Sequence, residues 1–360
     1  MLVAWLVWWG VAAAPGGVAV QAAAPAVCDL RTTERIVAIG DVHGGYDQFA
    51  GVLRSAGLVD GRGRWTGGRA VLVQTGDVID RGIDTRQVLD LLRRLERDAA
   101  RAGGRVLALL GNHEVMRMVW DWRYVSAKEF DTFRTESSAD LRERAFALSA
   151  AEAEREAAAQ QKPYDAAAFR ERFFQAIPLG FIEMRQAFGP AGEYGRWLRE
   201  RPALVKINGI VFAHGGVDAA TAAIGCEGIN ETVRRELAVP VPTADQLASM
   251  LSSSPTGPLW YRGLAEEPDP EFAPELTKIL EALAARAIVV GHTVPRDFRI
   301  RARFGGRVIQ IDTGMLGGSF YPGGIASALE IRGDAVTAIY PRSREPLAAP
   351  ALAAARKAAP

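Results

Sequence analysis

Cysteine and histidine are scarce in this chain, at two and four of 360 residues. Two thiols exclude a disulfide-dense scaffold and any zinc site made of four thiolates. An excess of one charge is missing too, because 43 basic residues meet 42 acidic ones. Nucleic-acid binders and membrane-surface proteins carry a basic surplus, so no nucleic-acid partner is expected. Residues 1–28 contain no Asp, Glu, Lys or Arg. The apolar run Leu2 to Ala14 is shorter than the roughly 20 residues of a membrane-spanning helix, so no stable span is expected. Pro15-Gly16-Gly17 and the small-residue pattern Ala22-Ala23-Ala24 follow it. Residues 1–27 therefore read as a secretory signal cleaved near Ala22–Ala26. The expected location is periplasmic or secreted, with an N-terminal membrane anchor as the alternative, since the start lacks Lys and Arg. Pro25-Ala26-Val27 is a poor setting for a lipidated Cys28. In an exported chain Cys28 and Cys226 can pair or stay as two buried thiols, and the sequence leaves both open.

What is present is a globular composition, 49% hydrophobic and 24% charged. From Arg35 onward short β-branched runs end abruptly in charged, glycine-flanked loops. Ile36-Val37-Ala38-Ile39 runs into Gly40-Asp41-Val42-His43-Gly44, and Val71-Leu72-Val73 into Gly76-Asp77-Val78-Ile79-Asp80-Arg81-Gly82. Val106 to Leu110 runs into Gly111-Asn112-His113-Glu114. Between them lie two helical stretches, one near Asp47 to Ala56. The other carries Val88, Leu91, Leu92 and Leu95 at i, i+3, i+4 and i+7. This β-α-β-α-β order predicts a sheet with parallel strands and helices on its faces, with ligands beyond the carboxyl ends of the strands. After residue 200 the pattern reads as β-rich. A hairpin turns at Asn208-Gly209 and ends in His214-Gly215-Gly216, and Ala287 to Val290 ends in Gly291-His292-Thr293. Val308 to Ile311 ends in Asp312-Thr313-Gly314, and a last hairpin spans Ala326 to Tyr340. Residues 120–200 are rich in Ala, Arg and Glu and read as a helical insertion, either a cap on the site or a spacer. Residues 343–360 are rich in Ala and Pro and are expected to be disordered.

All four histidines fall directly after predicted strands, beside Asp41, Asp77 and Asn112. Packing alone does not explain that placement. Imidazole and carboxylate donors without thiolate suit Mn, Fe or Zn, and a pair of such ions clamps the oxygens of a phosphoryl group in flight.

The five blocks at 40–44, 76–82, 111–114, 214–216 and 291–292 resemble the signature of the calcineurin-like metallophosphoesterases. Asp80-Arg81-Gly82 and His214-Gly215-Gly216 resemble its phosphoprotein-phosphatase branch. Leu259-Trp260-Tyr261-Arg262 and the long insertion look like the bacterial-type Shewanella-like phosphatases. The resemblance implies an α/β metallophosphoesterase fold, a central β-sandwich flanked by helices with a helical insertion, as a catalytic domain over 33–342. It implies two divalent ions, Mn foremost and Fe or Zn as alternatives. Asp41 and His43 would bind the first ion, Asp77 would bridge, and Asn112, His214 and His292 would complete the second. His113 would protonate the leaving oxygen and Asp80 would orient it. Arg81 would grip the phosphoryl group, with Arg262 as the second grip and Arg296 as runner-up. A hydroxide held between the ions would attack in line. The expected partner is a phosphorylated substrate. Phosphoprotein with a tilt toward phosphotyrosine comes first, and nucleotides or dinucleoside polyphosphates stacked on Trp120, Trp122 or Trp197 come second. A non-catalytic metal-binding protein would need a missing ligand or acid, and none is missing.

Overall fold

The structure, a computed structural model, describes residues 28–239 and 241–353. The expected signal at 1–27 lies outside the described residues. Among the described residues twelve strands form two six-stranded sheets. The first holds β1 (Asp29–Leu30), β5 (Leu204–Ile207), β6 (Ile210–Ala213), β7 (Ala287–Val290), β9 (Val308–Gln310) and β8 (Arg301–Arg303), in that spatial order. The second runs β12 (Arg344–Pro346), β11 (Ala335–Ile339), β10 (Ala328–Arg332), β2 (Ile36–Ile39), β3 (Val71–Gln74), β4 (Arg105–Ala108). The α/β sandwich expected from the resemblance is the architecture observed.

Uninterrupted apolar strands produce it. Successive side chains point to opposite faces, so a strand apolar at every position must be covered on both. In β2, Ile36 and Ala38 join the cluster between the sheets, with Val73, Phe212, Val289 and Ile309. Val37 and Ile39 face the other way, into the cluster that holds α1 (Tyr46–Ser55) and α2 (Thr85–Arg101) through Phe49, Leu53, Leu89 and Leu92. The first sheet is covered likewise by the helices Cys226–Leu237 and Asp269–Ala282, through Ile229, Val233, Leu276 and Ile279. The β-rich reading after residue 200 missed these helices. Their apolar spacing, 229-233-237 and 276-279-280-283, was legible.

Strands β2, β3 and β4 run parallel, and so do β6, β7 and β9. Their carboxyl ends deliver Asp41 and His43, Asp77, Asn112 and His113 from one sheet. His214, His292 and Asp312 come from the other.

The insertion folds as α3 (Asn112–Met118) leading into α4 (Ala127–Asp131), α5 (Ser138–Ala159), α6 (Ala166–Ala176), α7 (Phe181–Phe188) and α8 (Glu193–Arg199). Its last helix is tied to α2, where Trp197 donates to Glu96 at 2.8 Å and Tyr194 to Asp90 at 2.9 Å. Trp197 thus serves packing and lies against α2. The disordered tail expected from 343 is corrected for residues 344–353. Arg344–Pro346 pairs antiparallel with β11, Arg286 donates to the Ala351 carbonyl at 2.6 Å, and Leu352 is buried against the inter-sheet cluster. A strand partner and an apolar anchor outweigh the local Ala and Pro composition. Cys28 and Cys226 are joined by a disulfide, with Cα atoms 6.1 Å apart, which tethers the start of β1 to the helix at 226–237. Among the described residues no helix is long and apolar enough to cross a membrane.

Candidate active site

The six parallel strand ends converge on one buried cluster. Asp41, His43, Asp77, Asp80, Asn112, His113, His214 and His292 are all buried. Their loops are locked together by main-chain bonds. Val42 and His43 donate to the Asp77 carbonyl at 2.9 Å, and Gly291 donates to the His214 carbonyl at 2.8 Å. Of the eleven non-glycine residues with positive φ among the described residues, five belong to this cluster: His43, Asp77, Asp80, Arg81 and His292. Left-handed backbone at a residue bearing Cβ costs about 1–2 kcal/mol. Such strain collects where geometry serves function. At Gly111 the reason for glycine is direct, because a Cβ there would collide with the Asp77 main chain and carboxylate.

Two groups of donor atoms lie within 4.8 Å of one another: His43, Asp77 and His113, and Asp77, His214 and His292. Asp41 is beside the first, its Oδ2 3.9 Å from His43 Nε2. Asp77 belongs to both groups, as a bridging ligand must. The Nδ1 of His43 lies 3.0 Å from the Ile79 carbonyl, and that of His214 3.0 Å from the Thr75 carbonyl. A carbonyl accepts only, so each Nδ1 carries the proton, and Nε2 is the nitrogen turned toward the cluster. The Nε2 of His214 lies 3.0 Å from Asn112 Oδ1 and 3.3 Å from Asp77 Oδ2. The Nε2 of His292 is buried with no hydrogen-bond partner. Burial also lowers the pKa of His43 to about 3 and that of His292 to about 2. Both rings are therefore neutral at ordinary pH. Burial, Asp312 and Asp77 together raise the Asp41 carboxyl. A buried imidazole nitrogen without a partner, neutral imidazoles at His43 and His292 and crowded carboxylates are a donor set that divalent cations fit.

The fourth histidine is arranged differently. His113 Nδ1 lies 2.7 Å from Asp80 Oδ2, and its Nε2 is 3.7 Å from Asp77 Oδ2. Burial would lower its pKa, but Asp77 and Asp80 more than reverse this and raise it. Asp80 in turn meets the buried Arg117 through its other oxygen. Its carboxyl stands below the usual range: burial pushes it up, and Arg117 and His113 outweigh that.

The expected phosphate grips separate. Arg81 lies in the cluster, touching His43 Nε2 and the Tyr321 hydroxyl, with its guanidinium 5.6 Å from the Tyr124 ring centroid. Arg262 donates to the His292 carbonyl and Thr293 Oγ1, both at 2.9 Å. It lines a cavity of about 1130 Å³ with Asn112, Trp120, Trp122 and Trp260. Arg296 is exposed and is not among that cavity's lining residues.

Three participants escaped the sequence reading. Glu114 is fully buried and accepts main-chain N–H bonds from Gly111 at 2.7 Å, Asp77 at 2.8 Å and Val78 at 2.9 Å. Asp312 is buried beside Asp41, with burial raising its carboxyl to about 6. Its place after a strand, like the ligands' own, was the available signal. Tyr321 has no such signal, since it arrives on an irregular loop.

Residues 34–296 match the sequence profile of the calcineurin-like phosphoesterases. The chain belongs to that family. It is 31% identical over 84% of its length to Shewanella-like protein phosphatase 2 of Arabidopsis thaliana, of which 76% is covered. It is 27% identical to Shewanella-like protein phosphatase 1 of Plasmodium berghei, covering 80% of this chain and 68% of the relative. A solved structure of similar fold is the cold-active protein-tyrosine phosphatase of a psychrophilic Shewanella species. The TM-score is 0.67 at 27% identity, over 89% of this chain and 82% of that one. This family member is thus a hydrolase of phosphoesters, and family and donor set together make it a binder of divalent metal.

Proposed function

We propose that the chain is a phosphoprotein phosphatase with a dinuclear centre, favouring phosphotyrosine. The carrying observation is the shared position of Asp77 between two donor groups, one of which includes a histidine, His113, that is held by a separate carboxylate, Asp80. In this reading Asp41 and His43 hold one ion, Asp77 bridges, and Asn112, His214 and His292 hold the other, with Mn the first candidate. When bound, the ions supply the positive charge that neutralises phosphoryl oxygens and activates water. Arg81 and Arg262 grip the phosphoryl group, the task for which a planar guanidinium is suited. His113 delivers a proton from Nε2 to the departing oxygen while Asp80 fixes Nδ1–H. That role contributes roughly 100- to 10,000-fold when the leaving group is a poor one.

The tyrosine preference is supported by the name of the similar Shewanella enzyme, while the tryptophan-lined cavity at Arg262 suits a flat ring, phenol or nucleobase alike. The catalytic unit is taken as residues 33–342, with the insertion at about 120–200 as a cap. The disulfide supports export, because such bonds persist in oxidising compartments. The test is hydrolysis of phosphotyrosine peptide, phosphoserine peptide, nucleotides and diadenosine polyphosphate by metal-stripped protein resupplied with Mn. Faster turnover of nucleotides than of either peptide would replace the reading with a small-molecule phosphohydrolase. His113→Asn should keep both metal ions. Loss of one would make His113 a ligand instead of the acid.

A further inference from the structure

A chain of alternating charge runs from His113 out of the metal cluster and into the insertion. Asp80 holds His113 Nδ1 with Oδ2 at 2.7 Å and meets Arg117 with Oδ1. Arg117 reaches on to Glu129 Oε1 at 3.0 Å. Arg117 and Glu129 are both wholly buried. Arg117 is on α3, one turn beyond His113, while Glu129 is on α4, the first helix beyond the α3 end. The guanidinium is sandwiched by the insertion's own aromatics, 5.4 Å from the Trp122 centroid and 4.8 Å from that of Phe188. Its Nη1 contacts Met184 Sδ at 3.1 Å. The Glu129 main-chain N–H is fixed in turn by Ser126 Oγ at 3.2 Å.

Stability alone does not call for this arrangement. A buried ion network loses in desolvation about what it gains in attraction, and well-packed neutral side chains of similar volume serve as well. What charge adds here is direction. Asp80 has two oxygens, and with Arg117 on one of them the other has a single orientation toward the imidazole.

We propose that Arg117 and Glu129 are positioning residues that transmit the placement of the insertion, through Asp80, to the His113 ring and so set its line of proton delivery. The proposal rests on the reading of His113 as the acid. The insertion then does more than shape the entrance, because its first turn of helix is mechanically joined to the proton donor.

The test compares leaving groups. Holoenzyme and variants are assayed on p-nitrophenyl phosphate, phosphotyrosine peptide and phosphoserine peptide, esters of increasingly poor leaving groups, with metal content and melting temperature measured in parallel. Arg117→Met leaves Glu129 buried without its cation and can fail to fold. The double variant Arg117→Met with Glu129→Gln removes both charges at nearly constant volume and keeps the question answerable. It should melt close to the parent and hold its full metal content. Its kcat should fall roughly 10- to 100-fold on the phosphoserine peptide, less on phosphotyrosine, and at most a few-fold on p-nitrophenyl phosphate. Glu129→Gln alone should show the same ordering, more weakly. An equal loss on all three esters, or none, in the double variant overturns the proposal. His113→Asn run beside it separates the two ideas. If that variant also lacks a leaving-group-dependent loss, the acid assignment itself has failed. If it shows one and the double variant does not, only the positioning role has failed.

Discussion

Replacing Glu114 by glutamine changes one oxygen to an amide in the middle of the site's scaffold. The carboxylate ties the loop after β3 to the loop after β4, with Oε2 accepting from Asp77 and Gly111 and Oε1 from Val78. Glutamine can keep one acceptor only. Its best rotamer places the carbonyl where Oε2 sits, saving two bonds, and turns its NH2 against the Val78 N–H. One hydrogen bond to a charged group is lost, at about 1.5–3 kcal/mol, and a buried donor is left unsatisfied, at about 1–3 kcal/mol. Relaxation recovers part of this, so a net loss of about 2–4 kcal/mol is expected. For a chain of this size that is roughly 3–5 °C in melting temperature. The displaced main chain carries Asp77, which both donor groups share, so metal binding should weaken by at least about tenfold, as for other supporting partners of metal ligands. Melting of the metal-stripped protein and Mn titration by calorimetry measure the two effects. A Glu114→Gln protein with parental melting temperature and parental Mn affinity would refute the reasoning, because the three bonds would then be replaceable by water.

Asp77→Asn should remove both ions and all activity, whereas His292→Ala should remove one, read by metal analysis after gel filtration. Gly291→Ala places a methyl against Asp41 Oδ1, and Mn affinity should fall about 10- to 100-fold with little change in secondary structure by circular dichroism. Folding raises the His113 pKa above its ordinary 6.5. In metal-stripped protein its contribution to stability is therefore full below about 6.5 and lost as pH rises through the folded value. Melting curves of parent and His113→Asn should converge toward alkaline pH. Cys226→Ser opens a link spanning 198 residues. Stability should fall by up to about 5 kcal/mol on the chain-entropy estimate, with kcat at 25 °C unchanged.

The buried donor cluster was legible because its residues sit where the hydrophobic code stops. Each parallel strand is a short, mostly apolar run, and the polar residues of the loop that follows it gather at the common edge. Asp41, Asp77, Asn112, His214 and His292 were all found this way, and the order of the blocks carried the family resemblance. Asp312 obeys the same rule but lacks a histidine or a glycine-flanked acidic motif beside it, so it passed unassigned. Local composition misled at 344–353, where Ala and Pro suggested no structure and a strand partner supplied it.

The sequence by itself determined the parallel strands, the loops that end them and the chemistry those loops carry, because strand periodicity and donor type are local properties. Only the tertiary structure decided which face of the sandwich meets which helix, that Cys28 reaches Cys226, and that Glu114 holds two loops together. The path Asp80–Arg117–Glu129 joining His113 to the insertion belongs with these. Such pairings depend on where segments far apart in the chain come to rest, and no spacing along the chain encodes a distance across it.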